Sequence, residues 1–375
     1  MPRLTAALSA LLLILCSCDD PNEPVATTQA ARVRWNVALP RELATIATLT
    51  PALAISDQVV FAAAGRAMAL DAATGSVRWE LSDTTFFSTQ LGTFFPAGAN
   101  VVALYPGMAL GIDAASGALR WRRSDMPPGR RGEFSMALGE AFYGGGILEL
   151  GTALALASGI SRSFPLRQPG DSTSRTTDLL VSGDTLYSTV YRESRTNSLV
   201  GQFWLGRYDR TTGRQLEFLR FPTDSIAPNA STALSGDNVF ISDADRNEVW
   251  AWNRFTGEAR RIHKVQGGLG NIASVQVSGD TLVVPAANLT MYVYSISRAA
   301  LLFTVSTRSS LTDVAICGDV IYMQHSFIEA VSRTTGRSLG VVLAPGTIRM
   351  SAFTKGPDYV FGYTPKRAYA LRCPP

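Results

Sequence analysis

Ala69-Leu70-Asp71-Ala72-Ala73-Thr74-Gly75-Ser76-Val77-Arg78-Trp79 decides the fold of this chain, because the same phrase keeps returning. It reappears as Gly111-Ile112-Asp113-Ala114-Ala115-Ser116-Gly117-Ala118-Leu119-Arg120-Trp121, and shorter echoes stand at 207–213, 252–257 and 331–336. The glycines at 75, 117, 159, 213, 257 and 336 keep a period of about 42 residues, once a degenerate copy near Ala300 is allowed. A repeat of that length with short β-rich runs is the signature of a four-stranded propeller blade.

Each unit reads as four short strands. Val59 to Ala63 is β-rich, Gly65-Arg66 turns, Ala67 to Asp71 forms a further strand, and the Thr-Gly turn leads into residues 76–81. Asp and Thr in that turn can hydrogen-bond to local amides, and Gly accepts positive φ. These residues therefore have structural work, and Asp71, Asp113 and Asp209 are not read as catalytic. A second signal precedes each unit's second strand: Ser182-Gly183-Asp184, Ser235-Gly236-Asp237, Ser278-Gly279-Asp280 and Cys317-Gly318-Asp319, with weaker forms at 56–57, 98–100, 139–140 and 356–358. Each leads into a hydrophobic run, as a hairpin requires. Eight hairpins predict eight blades, so the expectation is an all-β, eight-bladed propeller of four-stranded blades.

The small residues at 230–233, 272–275 and 350–352 suit crowded strands nearest the axis. Trp79 and Trp121, on outermost strands, suit the widening gap between blades. The last unit stops at Arg367-Ala368-Tyr369-Ala370-Leu371 without an outer strand, while Val33-Arg34-Trp35-Asn36-Val37 repeats the pattern of Val77-Arg78-Trp79-Glu80-Leu81. The N-terminal strand is thus expected to complete the last blade, pairing otherwise open edges. Cys317 and Cys373 would then lie on one face, within reach of a disulfide.

The N-terminal end carries a different message. Met1-Pro2-Arg3 precedes an apolar run from Leu11 to Leu15, too short to span a bilayer and laid out as a secretory signal. Leu15-Cys16-Ser17-Cys18 resembles the bacterial lipobox. On that resemblance residues 1–17 are a signal peptide, Cys18 carries lipid, residues 18–31 form a polar tether, and 32–375 are the propeller. The expected location is the cell envelope, anchored to a bacterial membrane and facing the periplasm, or the exterior in a single-membrane organism.

Lys plus Arg number 34 against 30 Asp plus Glu, a net charge of +4. That balance argues against nucleic acid as a partner. Only Lys264, Lys355 and Lys366 represent lysine, so the basic charge is almost all Arg.

The pattern Ala-Leu-Asp-x-x-Thr-Gly-x-x-x-Trp resembles the pyrroloquinoline-quinone-type propeller repeat, over residues 33–373. That family includes quinoprotein alcohol dehydrogenases and non-enzymatic propellers, among them the lipoprotein subunit of the outer-membrane β-barrel assembly machine. The dehydrogenases would bring adjacent cysteines near the quinone. Here no two cysteines adjoin, no Cys-x-x-Cys-His appears, and His263 and His325 lack metal-ligand spacing. No phosphate loop or serine-nucleophile motif appears either. The resemblance therefore implies a non-catalytic scaffold with no cofactor and no metal, monomeric outside its complex.

Length variation points to where a partner would bind. The Thr-Gly and Ser-Gly-Asp turns keep their length and share one face, whereas expansions at 82–92, 124–132, 166–175, 191–201, 221–229 and 264–271 share the other. Variable loops on a rigid frame are where recognition usually resides. Phe86, Phe87, Arg130, Arg131, Arg167, Tyr191, Arg192 and Arg195 are the candidate contacts to an envelope protein, since Arg and aromatics dominate binding hot spots. The alternative is a small ligand or glycan in the axial channel, for which Asp178, Gln276 and Asp313 are the candidates. Quinone-dependent dehydrogenation is the remote third.

Overall fold

A computed structural model describes residues 32–39, 52–63, 66–83, 93–105, 107–124, 134–137, 140–143, 150–155, 158–165, 174–193, 201–222, 231–243, 247–264, 275–286, 289–307, 311, 313–325, 327–343, 353–364 and 366–374. Among these there is no helix, and the strands form eight four-stranded antiparallel sheets. The first blade runs Leu53–Ile55, Gln58–Ala63, Arg66–Asp71 and Val77–Ser82 from inside to outside. Innermost strands of neighbouring sheets touch, and Leu53–Ile55 meets both Thr93–Ala97 of the second blade and Thr354–Lys355 of the eighth. The architecture is an eight-bladed propeller.

The eighth sheet has the order Val33–Ala38, Arg367–Arg372, Tyr359–Tyr363, Thr354–Lys355. Val33–Ala38 pairs antiparallel with Arg367–Arg372, from Val33 opposite Leu371 to Ala38 opposite Arg367. Trp35 is buried there, Arg34 makes a bidentate ion pair with Asp358 at 2.9 Å, and Arg372 N donates to Arg32 O at 2.7 Å. Beside this seam a disulfide joins Cys317, at the end of the inner strand Asp313–Cys317, to Cys373, with Cα atoms 5.0 Å apart.

Packing between blades explains the repeat. The buried clusters span neighbours: Phe61 and Met68 of the first blade pack on Phe361 and Tyr363 of the eighth, and Val60 and Ala69 pack on Leu110 and Ile112 of the second. These strands are buried on both faces, so they read as continuous apolar runs. The outer-strand tryptophan reaches into the next blade. Trp79 Nε1 donates to Ala114 O at 2.8 Å, and Trp35 Nε1 donates to Ala72 O at 2.9 Å. Gly75 has φ +76°, and a Cβ there would stand 2.8 Å from the Trp35 ring. Glycine is thus required twice, by backbone conformation and by the indole lying on it. In the sixth blade Ala299 takes that place at φ 49°, accepting a mild left-handed strain, which is why the repeat fades there.

The inner strand of the fifth blade, Ser231–Ser235, carries the small residues expected near the axis. The corresponding stretches 272–274 and 350–352 lie outside the described residues.

Candidate interaction face

Strand order fixes the two faces. Turns between first and second strands and between third and fourth strands share one edge of every sheet, and second-to-third turns with the interblade connections share the other. On the first, or turn, face the two turns of a blade are joined directly: Ala72 N donates to Asp57 O, Ala114 N to Ala99 O, and Arg333 N to Asp319 O.

Where the repeat carries an Asp, at 71, 113 and 209, it organises its own turn. Asp71 Oδ1 accepts from Ala73 N at 3.0 Å, Thr74 N at 2.8 Å and Thr74 Oγ1 at 3.0 Å, while Oδ2 accepts from Arg78 Nη2 at 2.6 Å. The Arg78 hydrogen bond, helped by the Thr74 donors, holds the Asp71 carboxyl down at about 2. Arg120 and Ser116 lower Asp113 in the same way, and Thr212 lowers Asp209. A carboxylate locked this firmly as an acceptor is a poor proton carrier near neutral pH. The structural reading of these aspartates agrees with their geometry.

On the opposite, or loop, face most expected contacts fall beyond what the structure describes. Cys18, Phe86, Phe87, Arg130, Arg131, Arg167 and Arg195 lie outside the described residues, and of Arg192 only its backbone position in the strand Thr185–Glu193 is described. Tyr191 requires correction. It is fully buried, packed with Tyr187, Phe203, Leu205 and Trp252 between the fourth and fifth blades. Tyr187 and Tyr191 are four residues apart on one strand, so both side chains meet the same neighbouring sheet. Tyr191 is core and not a partner contact. The period-two spacing of the two tyrosines carried that signal.

What sequence reasoning missed is the length of the fourth blade. Its strands Ser174–Ser182, Thr185–Glu193 and Gly201–Asp209 have 9 residues each, where the first three strands of the other described blades have six or fewer. Pairing continues to Glu193 opposite Gly201. The expected 191–201 loop therefore shrinks to 194–200. Three extra residues extend this sheet by roughly 10 Å on the loop face. The outer strand Gln215–Arg220 does not follow it. At that end Trp204 stands half-buried against Phe218, with the Arg220 guanidinium 5.9 Å from its ring centre.

Of the axial candidates, the side chain of Asp178 lies outside what the structure describes. Asp313 is buried, but Oδ1 accepts from Val314 N at 2.9 Å and Oδ2 from Phe353 N at 2.6 Å, so its carboxylate ties the seventh blade to the eighth. Gln276 begins the inner strand Gln276–Ser278, and Asp178 sits at a register shift in the fourth blade. His263 lies against Tyr292 and Tyr294, and burial pushes its imidazole down. His325 packs on Phe327. The two histidines thus serve separate aromatic layers.

Comparison with known proteins fits this geometry. The family described as outer membrane protein assembly factor BamB matches residues 14–142. The computationally designed Ika8 protein is 16% identical with a TM-score of 0.66, covering 91% of this chain and 99% of its own. BamB from Moraxella catarrhalis is 18% identical with a TM-score of 0.52, covering 91% of this chain and 97% of its own. No curated protein matches the chain. The matched segment and the shared fold thus make this chain similar to the BamB-type propellers.

Proposed function

We propose that this chain is a lipid-anchored, non-catalytic scaffold of the bacterial cell envelope that holds a protein partner on its loop face, in the service of outer-membrane protein assembly. One observation carries the reading. The turn face keeps its turns within one residue of the same length, while the loop face holds the large length variation, including the roughly 10 Å extension of the fourth blade. The family match adds the assembly context. Trp204 and Arg220 join Arg130, Arg131, Arg167, Arg192 and Arg195 as proposed contacts, with Phe86 and Phe87 as apolar anchors. Acylation at Cys18 supplies the attachment, at about 0.8 kcal/mol per buried CH₂. Asp313, spent on backbone amides, gives the axial-ligand alternative little support.

The test is co-purification of the β-barrel assembly machine from detergent-solubilised native membranes. Wild type is compared with a variant whose residues 194–200 are replaced by a short Gly-Ser turn. The expected result is loss of the machine from the variant, with an unchanged melting temperature. Equal recovery with both proteins would overturn the placement of the interface.

A further inference from the structure

Among the described residues, large apolar side chains are exposed at Val77, Leu119, Ile160, Leu216, Phe255, Leu289, Leu301 and Leu302. All but Leu289 occupy the turn following the third strand or the first residues of the outer strand. Val77 and Leu119 stand two residues after Gly75 and Gly117, Ile160 one after Gly159, and Leu216 three after Gly213. Leu301 stands two after Ala299, and Phe255 is inside its turn. Since successive blades are equivalent, these positions lie at one height on the rim of the turn face. Ile160 is the most open, at 68%.

Single exposed leucines on a soluble protein need no explanation. A set that recurs at one height, among the described residues of successive blades, does. Its members sit on six blades, with Leu301 and Leu302 sharing the sixth, so no single groove collects them; a flat surface touches all of them together. We infer that the turn face rests on a lipid bilayer, with this rim dipping into the headgroup boundary. This inference rests on, and refines, the lipoprotein reading above.

Two further observations favour lipid as the occupant. The first is where the chain enters the ring. Val33 lies opposite Leu371, and Arg32 O accepts from Arg372 N, so the N-terminal segment arrives at the turn-face end of the eighth blade. Only 14 residues, Cys18 to Ala31, separate the proposed lipid attachment from this end of the blade. A six-residue strand is itself about 20 Å tall. The shortest tether path therefore brings the turn face, and not the loop face, to the membrane. The second is charge. Five carboxylates on this face are matched, Asp57 and Asp71 by Arg78, Asp113 by Arg120, Asp184 by Arg210, and Asp358 by Arg34, which compensates part of its negative charge. Apolar side chains beside Arg suit an interface buried about 5–10 Å deep.

The test uses the lipidated full chain in vesicles of phosphatidylethanolamine and phosphatidylglycerol at 3:1. An environment-sensitive fluorophore is placed singly at I160C, L119C or L289C, and quenching by spin-labelled lipid is read. Quenching at Ile160 and Leu119 should exceed that at Leu289 by roughly threefold or more, as interfacial burial of one face requires. Equal quenching, stronger quenching at Leu289, or none at any site overturns the inference. The same three labels in a C18A background, with vesicles in excess, should keep that rank order. If mass spectrometry finds the chain with Cys18 intact to carry no acyl group while the order holds, only the anchor is refuted; an acylated chain that loses the order refutes only the orientation.

Discussion

The two faces of the ring are built by opposite rules. On the turn face the first two blades share one arrangement in full, in which an Asp gathers the amides of its own turn, an Arg clamps the Asp, and a tryptophan of the preceding blade lies on the following glycine, and later blades keep the turn with Asn253, Ser295 or Ser332 in place of the Asp. On the loop face neighbouring blades diverge, and the fourth outgrows the rest by three or more residues in each of its first three strands. The difference shows where each kind of constraint acts. Turn-face residues hold neighbouring blades in register, so altering one disturbs two sheets. Variable loops on such a frame are where recognition usually resides.

The harshest way to break this comparison is to remove Val33–Ala38 together with Leu39. The deletion takes away the outer strand of the eighth blade, the Trp35 contact with the first blade, and the Arg34–Asp358 ion pair. It exposes the edge of Arg367–Arg372 and the apolar layer around Phe361. Loss of a cooperative melting transition is the expected outcome, followed by circular dichroism. A truncated chain that melts like the intact one would show that the ring does not depend on its N-terminal strand.

A matched pair of substitutions sharpens the contrast. Trp79 is buried, lies on Gly117 and donates to Ala114 O; Trp204 is half-buried at the extended end of the fourth blade. Trp79→Ala should cost about 3–5 kcal/mol, the usual range for emptying a buried aromatic site. Trp204→Ala should cost under about 1 kcal/mol, as a partly exposed position does. Urea titration of both variants measures the difference directly. Comparable losses would mean that the loop end of the fourth blade is structural after all.

This asymmetry also governs how much was legible in the sequence. Eight blades, the strand pattern and the turn chemistry could be read because each rests on a local requirement repeated along the chain. The Asp-x-x-Thr-Gly turn needs those residue types wherever it occurs. The pairing of Val33–Ala38 with Arg367–Arg372 was visible for the same reason, since both segments carry the repeat. The candidate site was read less well. Tyr191 looked like the start of a loop because no turn motif marks where the fourth blade's hairpin ends; only its alternation with Tyr187 places it inside. Strand length on the loop face is set by cross-strand pairing between segments that match no repeat, and such pairing leaves no periodic mark. The rim of exposed apolar residues escaped notice because each member, taken alone, looks like an ordinary edge-strand residue.

The smallest expected effect tests the Asp–Arg clamp itself. Asp71 is held at about 2 in the folded chain, chiefly by Arg78, against an unfolded carboxyl near 3.9. A depressed carboxyl contributes stability above its unfolded value and loses it as pH falls toward its folded value. The contribution of Asp71 should therefore be complete at pH 6 and fade between about pH 5 and pH 2. Asp71→Asn keeps an acceptor for the Ala73 and Thr74 amides but abolishes the charge facing Arg78. Melting temperatures of wild type and variant, taken across that window, should differ at pH 6 and draw together as pH approaches 2. A gap that stays constant over the whole range would assign the role of Asp71 to its shape as a turn acceptor alone. A convergence would show that the charge pair with Arg78, bridging on to Asp57, helps keep the repeated face rigid while the other face varies.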